Sequence, residues 1–184
     1  MADKAALRQE IRRRESALRP EARLESDALL RRNFLNHPQV ARAETILLFA
    51  GMGLEVDTRP LLEQLEGQGK RICLPRCLPG HAMEARRYDG ARLVRHRYGM
   101  LEPDLSCPVV NKAQIDLILV PGLCFDRRCF RLGRGGGFYD RYLADFQGVT
   151  LSLCRQVLLC EAVPVEPWDR PVDAVLTERE EYGR

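Results

Sequence analysis

Apolar residues run along this chain in two rhythms. Short continuous stretches, TILLFA at 45–50 and DLILV at 116–120, are β-rich and bounded by turn residues, as in strands buried on both faces. Between them lie segments with apolar positions three or four apart. Asp3 can cap a first helix with Leu7, Ile11 and Leu18 on one face and Arg8, Arg12, Arg13 and Arg14 on another. Pro20 predicts the first turn of a second helix running to about Leu35, with Leu24, Ala28 and Leu29 inward and Pro38 as its stop. GMGLEVDT then reads as a loop. Asp57 or Thr58 caps a helix with Pro60 in its opening turn, and Gly67 and Gly69 close it. Residues 71–74 predict a strand halted by Pro75, which completes a β-α-β unit and hence a parallel pair.

The second half continues the alternation. MEARRY and ARLVRH predict short strands and GMLEPD a loop. Residues 137–146 predict a helix with Phe138, Tyr142 and Phe146 four apart. A strand at 149–154 follows, then VLLC, a loop through Trp168, and AVLT. Strands and helices in turn imply an α/β protein: one domain over residues 1–184, three layers α/β/α, with a mainly parallel central sheet. Ligands of such sheets sit beyond the carboxyl ends of the strands.

Composition narrows the classes. A net charge of +3 is too small to argue for nucleic acid by itself, and the longest apolar runs are too short to span a bilayer. The opening MADKAALRQE has no apolar core of the secretory kind, so a cytoplasmic protein with reduced cysteines is expected. The cations are nearly all arginine, with lysine only at Lys4, Lys70 and Lys112.

The densest chemistry is RLGRGGGFYDR at 131–141. Gly133, Gly135, Gly136 and Gly137 let backbone N–H groups converge, a helix begins there, and Arg131 and Arg134 add full charges. This is an anion nest suited to a polyphosphate. No G-K-[ST] follows, so it is not a P-loop, and the G-x-G-x-x-G spacing is absent. Asp140, just past the glycines, is either an Mg²⁺ ligand beside phosphate oxygens or a solvated helix-start acid.

VPGLCFDRRCFRLGRGGGFYDRYL resembles the signature of the 5-formyltetrahydrofolate cyclo-ligase family. The likeness extends to Lys4, Leu7 and Arg8, to GLEVDT, to GKRICLP, to Glu102-Pro103 and to WDRPVD near the end. It implies the fold shared with sugar-phosphate isomerases and CoA transferases. It also implies ATP-dependent closure of 5-formyltetrahydrofolate to 5,10-methenyltetrahydrofolate, with Mg²⁺, a phosphorylated formyl group, and ADP and phosphate as products. By the same resemblance Lys4, Arg8, Arg131, Gly133, Arg134, Gly135, Gly136, Gly137, Phe138 and Tyr139 hold ATP, with Arg134 nearest the phosphoryl group in flight. Ala50, Glu55, Phe138 and Tyr139 contact the folate, and Asp140 and Asp173 bind Mg²⁺. Trp168 is expected to be structural, and the protein to act as a monomer on a small molecule. Three positions depart from the family pattern: Cys129 stands for a glycine, Phe138 for the first tyrosine of Y-Y-D, and Leu158 for a glutamine.

Other constellations are weaker. Cys73, Cys77 and His81 lack a fourth ligand for zinc. Cys124 and Cys129 have no histidine nearby in sequence to activate a thiol, and the three histidines fall in segments that read as peripheral. An RNA-binding module could use the arginine-rich helix and the R-G-G-like loop, but the balanced charge argues against it. A sugar-phosphate isomerase or CoA transferase would need a catalytic carboxylate and no ATP.

Overall fold

In the computed structural model, which describes residues 3–97 and 99–183, five α-helices flank an eight-stranded sheet. The helices are α1 (Lys4–Ser16), α2 (Pro20–Leu35), α3 (Pro38–Arg42), α4 (Arg59–Gly67) and α5 (Phe138–Leu143). The sheet contains β1 (Thr45–Leu47), β2 (Arg71–Leu78), β3 (Ala82–Arg87), β6 (Val109–Val110), β7 (Leu117–Leu119), β10 (Val149–Leu153), β11 (Ala174–Leu176) and β12 (Glu181–Gly183). Two small hairpins stand apart: β4 (Leu93–Arg95) with β5 (Leu101–Pro103), and β8 (Cys124–Phe125) with β9 (Arg131–Leu132). The order across the sheet is β12-β11-β10-β7-β1-β2-β3-β6. The strands from β11 to β2 are parallel, and both flanks turn antiparallel.

Period-two alternation on the central strands builds the layers. Ile46, Leu48, Ile72, Leu74, Leu117 and Leu119 join Leu30 and Phe34 of α2 and Leu61 and Leu65 of α4 in one core. Leu47, Cys73, Ile118 and Val120 face the other way, onto Ile11 of α1 and Tyr142 of α5. Side chains of a strand point to opposite faces in turn, so a continuous apolar run needs helices on both sides.

Several expectations are corrected. The inward face of α2 is Ser26, Asp27, Leu30 and Phe34, while Ala28 is exposed and Leu24 is 69% exposed. Buried polar residues within that stripe shifted the apparent apolar face. Pro38 opens α3 rather than merely ending α2. Pro75 does not stop β2, which pairs with β3 as far as Leu78. Arg71 N–H and Cys73 C=O both bond toward β1, so residue 75, two further on, also faces that side. There β1 has already ended at Leu47, and the missing N–H of proline deserts no partner. GMLEPD contains a strand, β5, and α5 ends at Leu143, short of Phe146. β6, the β8–β9 hairpin and β12 had no clear sequence pattern, being two or three residues long and stabilised by what they pair with.

Asp126 anchors the β8–β9 hairpin. Its buried carboxylate accepts from the N–H groups of Arg128, Phe130 and Val163 at 2.9, 3.1 and 2.9 Å. Cys129 takes φ 65° in this turn, the left-handed region that favours glycine, and its Sγ donates to the Tyr182 carbonyl at 3.2 Å. A non-glycine residue there costs roughly 1–2 kcal/mol. Cys129→Gly removes that strain and offsets the loss of a small buried side chain. Cys129→Ala keeps the strain and loses the sulfur. Urea denaturation should therefore find Cys129→Gly at least as stable as Cys129→Ala, against the usual order of the two residues.

Candidate active site

A cavity of about 610 Å³ opens beyond the carboxyl ends of β1 and β7, bounded by Phe49 and Ala50 after the first and by Pro121 and Gly122 after the second. The glycine loop forms one wall. Gly135 at φ +101° and Gly137 at φ +66° hold backbone conformations that L side chains rarely adopt, and Gly137 delivers the chain into α5. Arg8 reaches the loop from α1, its Nε donating to the Gly133 carbonyl at 2.9 Å. Arg131 pairs through Nη2 with Oδ1 of Asp140 at 2.5 Å. The Nε of Arg131 and the hydroxyl of Tyr139 are buried without a hydrogen-bond partner among the described residues. Burial pushes the Tyr139 phenol well above its ordinary range, although the Arg131 charge opposes this.

The second wall is the loop after β1. Thr58, fully buried, does not cap α4 with its hydroxyl; it donates instead to the Phe49 carbonyl and accepts from Gly51 N–H at 3.1 Å. This closes the loop on itself. Asp57 Oδ1 takes the α4 N–H of Arg59. Within the loop Glu55 accepts from Met52 N–H at 3.0 Å through Oε2. Its Oε1 meets Arg134 Nη2 at 2.7 Å across the cavity. That ion pair ties the glycine loop to the β1 loop.

At the rim, Lys4 Nζ lies 2.7 Å from Glu166 and 2.6 Å from Asp169. Burial alone would lower the Lys4 pKa, but its hydrogen bonds to Asp169 and Glu166 and their negative charges prevail and raise it. Lys4, Arg8, Arg131 and Arg134 thus share the cavity with Glu55, Glu102, Asp140, Glu166 and Asp169. Four cations against five carboxylates means an incoming polyphosphate must exchange partners with acids already present. It does so with less repulsion if it carries its own divalent cation.

The sequence profile of the 5-formyltetrahydrofolate cyclo-ligase family matches residues 1–178. The chain belongs to that family. It is 36% identical over 174 residues to the 5-formyltetrahydrofolate cyclo-ligase of Escherichia coli K12, covering 91% of this chain and 96% of that one. The mouse cyclo-ligase is 32% identical, with 95% and 93% covered. Among solved structures, the 5,10-methenyltetrahydrofolate synthetase of Aquifex aeolicus superposes with a TM-score of 0.87 at 29% identity, over 98% of this chain and 92% of that one.

Of the ATP-, folate- and metal-site residues that the cyclo-ligase resemblance implies, all but Asp173 line this one cavity. Asp173 lies elsewhere. It precedes β11, and its Oδ2 accepts from Thr150 N–H and Oγ1 at 2.9 and 2.8 Å, at the amino end of the parallel strands. It is not brought together with Asp140. Trp168 is no buried prop; it is 64% exposed and sits on the cavity rim. His81, expected at the periphery, lines the cavity, its ring 5.4 Å from that of Phe138. Leu158, the position at which the resemblance implies a glutamine, is buried in the core.

One functional support escaped the sequence. Arg155, 2% exposed, holds Asp27 of α2 at 2.6 Å and lies 3.6 Å from Glu15 of α1. Its Nη1 also donates to the Leu54 carbonyl at 2.7 Å, and its Nη2 to that of Glu55 at 3.4 Å. Asp27 in turn accepts from Asp57 N–H at 3.0 Å. A buried guanidinium thus fixes the turn that carries Glu55. One arginine among many gives no local signal of this, since its partners are about a hundred residues away or more.

Proposed function

We propose that this chain uses ATP to close 5-formyltetrahydrofolate to 5,10-methenyltetrahydrofolate, releasing ADP and phosphate. The observation that carries the reading is the juxtaposition of two unlike walls in one cavity. A glycine-rich cationic loop suits a triphosphate. Beside it lie Phe49, Pro75, Met83, Met100, Leu101 and Phe138, an apolar surface suited to a fused-ring substrate.

The formyl oxygen is a poor leaving group. Its attack on the γ-phosphorus expels ADP and leaves the oxygen as a phosphate ester. N10 then bonds to the formyl carbon, the C–O bond breaks, phosphate departs, and the N10 proton is lost. For such a transfer the protein's work is chiefly positioning and charge neutralisation. The unpartnered Arg131 Nε and Tyr139 hydroxyl are donors poised for anionic oxygens. Arg134, 47% exposed along its side chain, is free to leave Glu55 for the transferring group.

Mg²⁺ would neutralise phosphate charge. The residues present fit a metal held mostly by nucleotide and water, since the described residues contain no group of three or more His, Cys, Asp or Glu arranged to hold an ion. Asp140 is the carboxylate beside the glycine loop that would join it, and Asp173 is placed too far along the strands to share the task. Asp140→Asn is expected to raise the Mg²⁺ concentration for half-maximal activity by about tenfold, consistent with losing one charged ligand. An unchanged metal titration removes Asp140 from that role.

The reading as a whole is tested by measuring ADP release with and without 5-formyltetrahydrofolate, alongside the methenyl chromophore. ADP should appear only with the folate and in step with the chromophore. Equal hydrolysis without folate contradicts the proposal.

A further inference from the structure

The apolar part of the cavity contains one buried carboxylate that neither wall explains. Glu102, on β5, is 3% exposed and lines the cavity among Pro75, Met83, Met100 and Leu101. Its Oε1 accepts from Cys77 N–H at 3.0 Å. Cys77 N–H points to the side of β2 that β1 has left, by the same two-residue alternation that frees Pro75, so this hydrogen bond fixes the carboxylate in place. Among the described residues no Lys, Arg or His forms an ion pair with Glu102. A carboxylate buried without a cation is costly unless other donors reach it. Cys77 serves the carboxylate twice, with its N–H on Oε1 and with its thiol as a weak second donor; the carboxylate's remaining lone pairs are left to meet a ligand.

Accepting the cyclisation proposed above, we infer that Glu102 reads the 2-amino and adjacent ring N–H edge of the pterin, making it the specificity residue for the folate's ring system. Two parallel N–H donors on a planar heterocycle match a carboxylate as a guanidinium does. Phe138 and His81, their rings tilted at 53° to each other in the lining of the same cavity, would face the ring while Glu102 reads its edge. The formyl group would then lie toward the glycine loop. A purely structural Glu102 would need only its bonds to Cys77.

The two roles separate experimentally. Wild-type protein is titrated with 5-formyltetrahydrofolate and with its analogue carrying methyl in place of the 2-amino group. The analogue should bind about 30-fold or more weakly, because a site built for a donor leaves its acceptor unpaired. Glu102→Gln retains an oxygen for Cys77 N–H but puts an NH₂ where Oε2 stood. It should bind 5-formyltetrahydrofolate about 30-fold more weakly and show little further loss with the analogue. Its KM for ATP and its Tm should stay close to wild type. Equal binding of the two folates by the wild type overturns the inference. So does a Glu102→Gln variant that loses Tm yet keeps the wild-type ratio between the folates. If Glu102→Gln does not fold, the wild-type comparison decides alone. Failure of the wild type to bind 5-formyltetrahydrofolate at all removes the proposed cyclisation and this role with it; binding without discrimination removes only the role of Glu102.

Discussion

Arg134→Ala is expected to lower kcat by about 10²–10³-fold while leaving the folate KM within a few-fold of wild type. The guanidinium projects from the glycine loop and, among the described residues, is held by Glu55 at the cavity surface. Breaking that exposed pair costs little stability, because exposed ion pairs contribute at most about 1 kcal/mol. Its larger effect lies in the transition state, where charge spreads over the transferring phosphoryl oxygens and a preorganised cation counts most. Steady-state kinetics with each substrate varied in turn supply the check. A variant with intact kcat and weakened folate binding would show that Arg134 serves the substrate and not the transfer.

Arg155→Ala is expected to destabilise the fold by about 3–5 kcal/mol, because it leaves two carboxylates buried without their cation. Tm should fall by roughly 10 °C or more. The loss should shrink on acidification. Burial raises the Glu15 pKa, with Arg155 the first of the charges opposing it. A carboxyl raised in the folded state stabilises below its unfolded pKa and loses that contribution as pH climbs through the folded one. Removing Arg155 raises Glu15 further, so the variant's deficit grows from about pH 4.5 upward. Thermal melts across pH 4 to 8 test this; a deficit independent of pH would mean that packing, not charge, is what Arg155 supplies. Because the same guanidinium holds the Leu54 and Glu55 carbonyls, folate affinity should weaken alongside stability.

Much of the architecture was legible. The runs 45–50 and 116–120 marked strands covered on both faces, Asp3 caps α1 as expected, and Pro20 opens α2. The glycine loop announced itself because left-handed backbone selects glycine whatever surrounds it, and its order with Lys4, Arg8, Glu55 and Asp140 placed the chain in a family. Cys129 was legible as a question, and its φ of 65° answers it.

What stayed hidden depended on distance through space. The amphipathic stripe of α2 misled because Asp27 is buried for the sake of Arg155, a residue more than a hundred positions away. Asp173 offers a carboxylate, but the fold sets it at the amino end of the strands, apart from Asp140. His81 and Glu102 belong to segments without strong periodicity, and only the β2–β3 and β4–β5 pairings bring them to the cavity. Local backbone preference and hydrophobic rhythm are properties of neighbouring residues, so the sequence alone determined the long helices, the central strands and the glycine loop. Which charges meet, and which carboxylate faces the apolar wall, follows from packing between remote segments, and that only the tertiary structure decided.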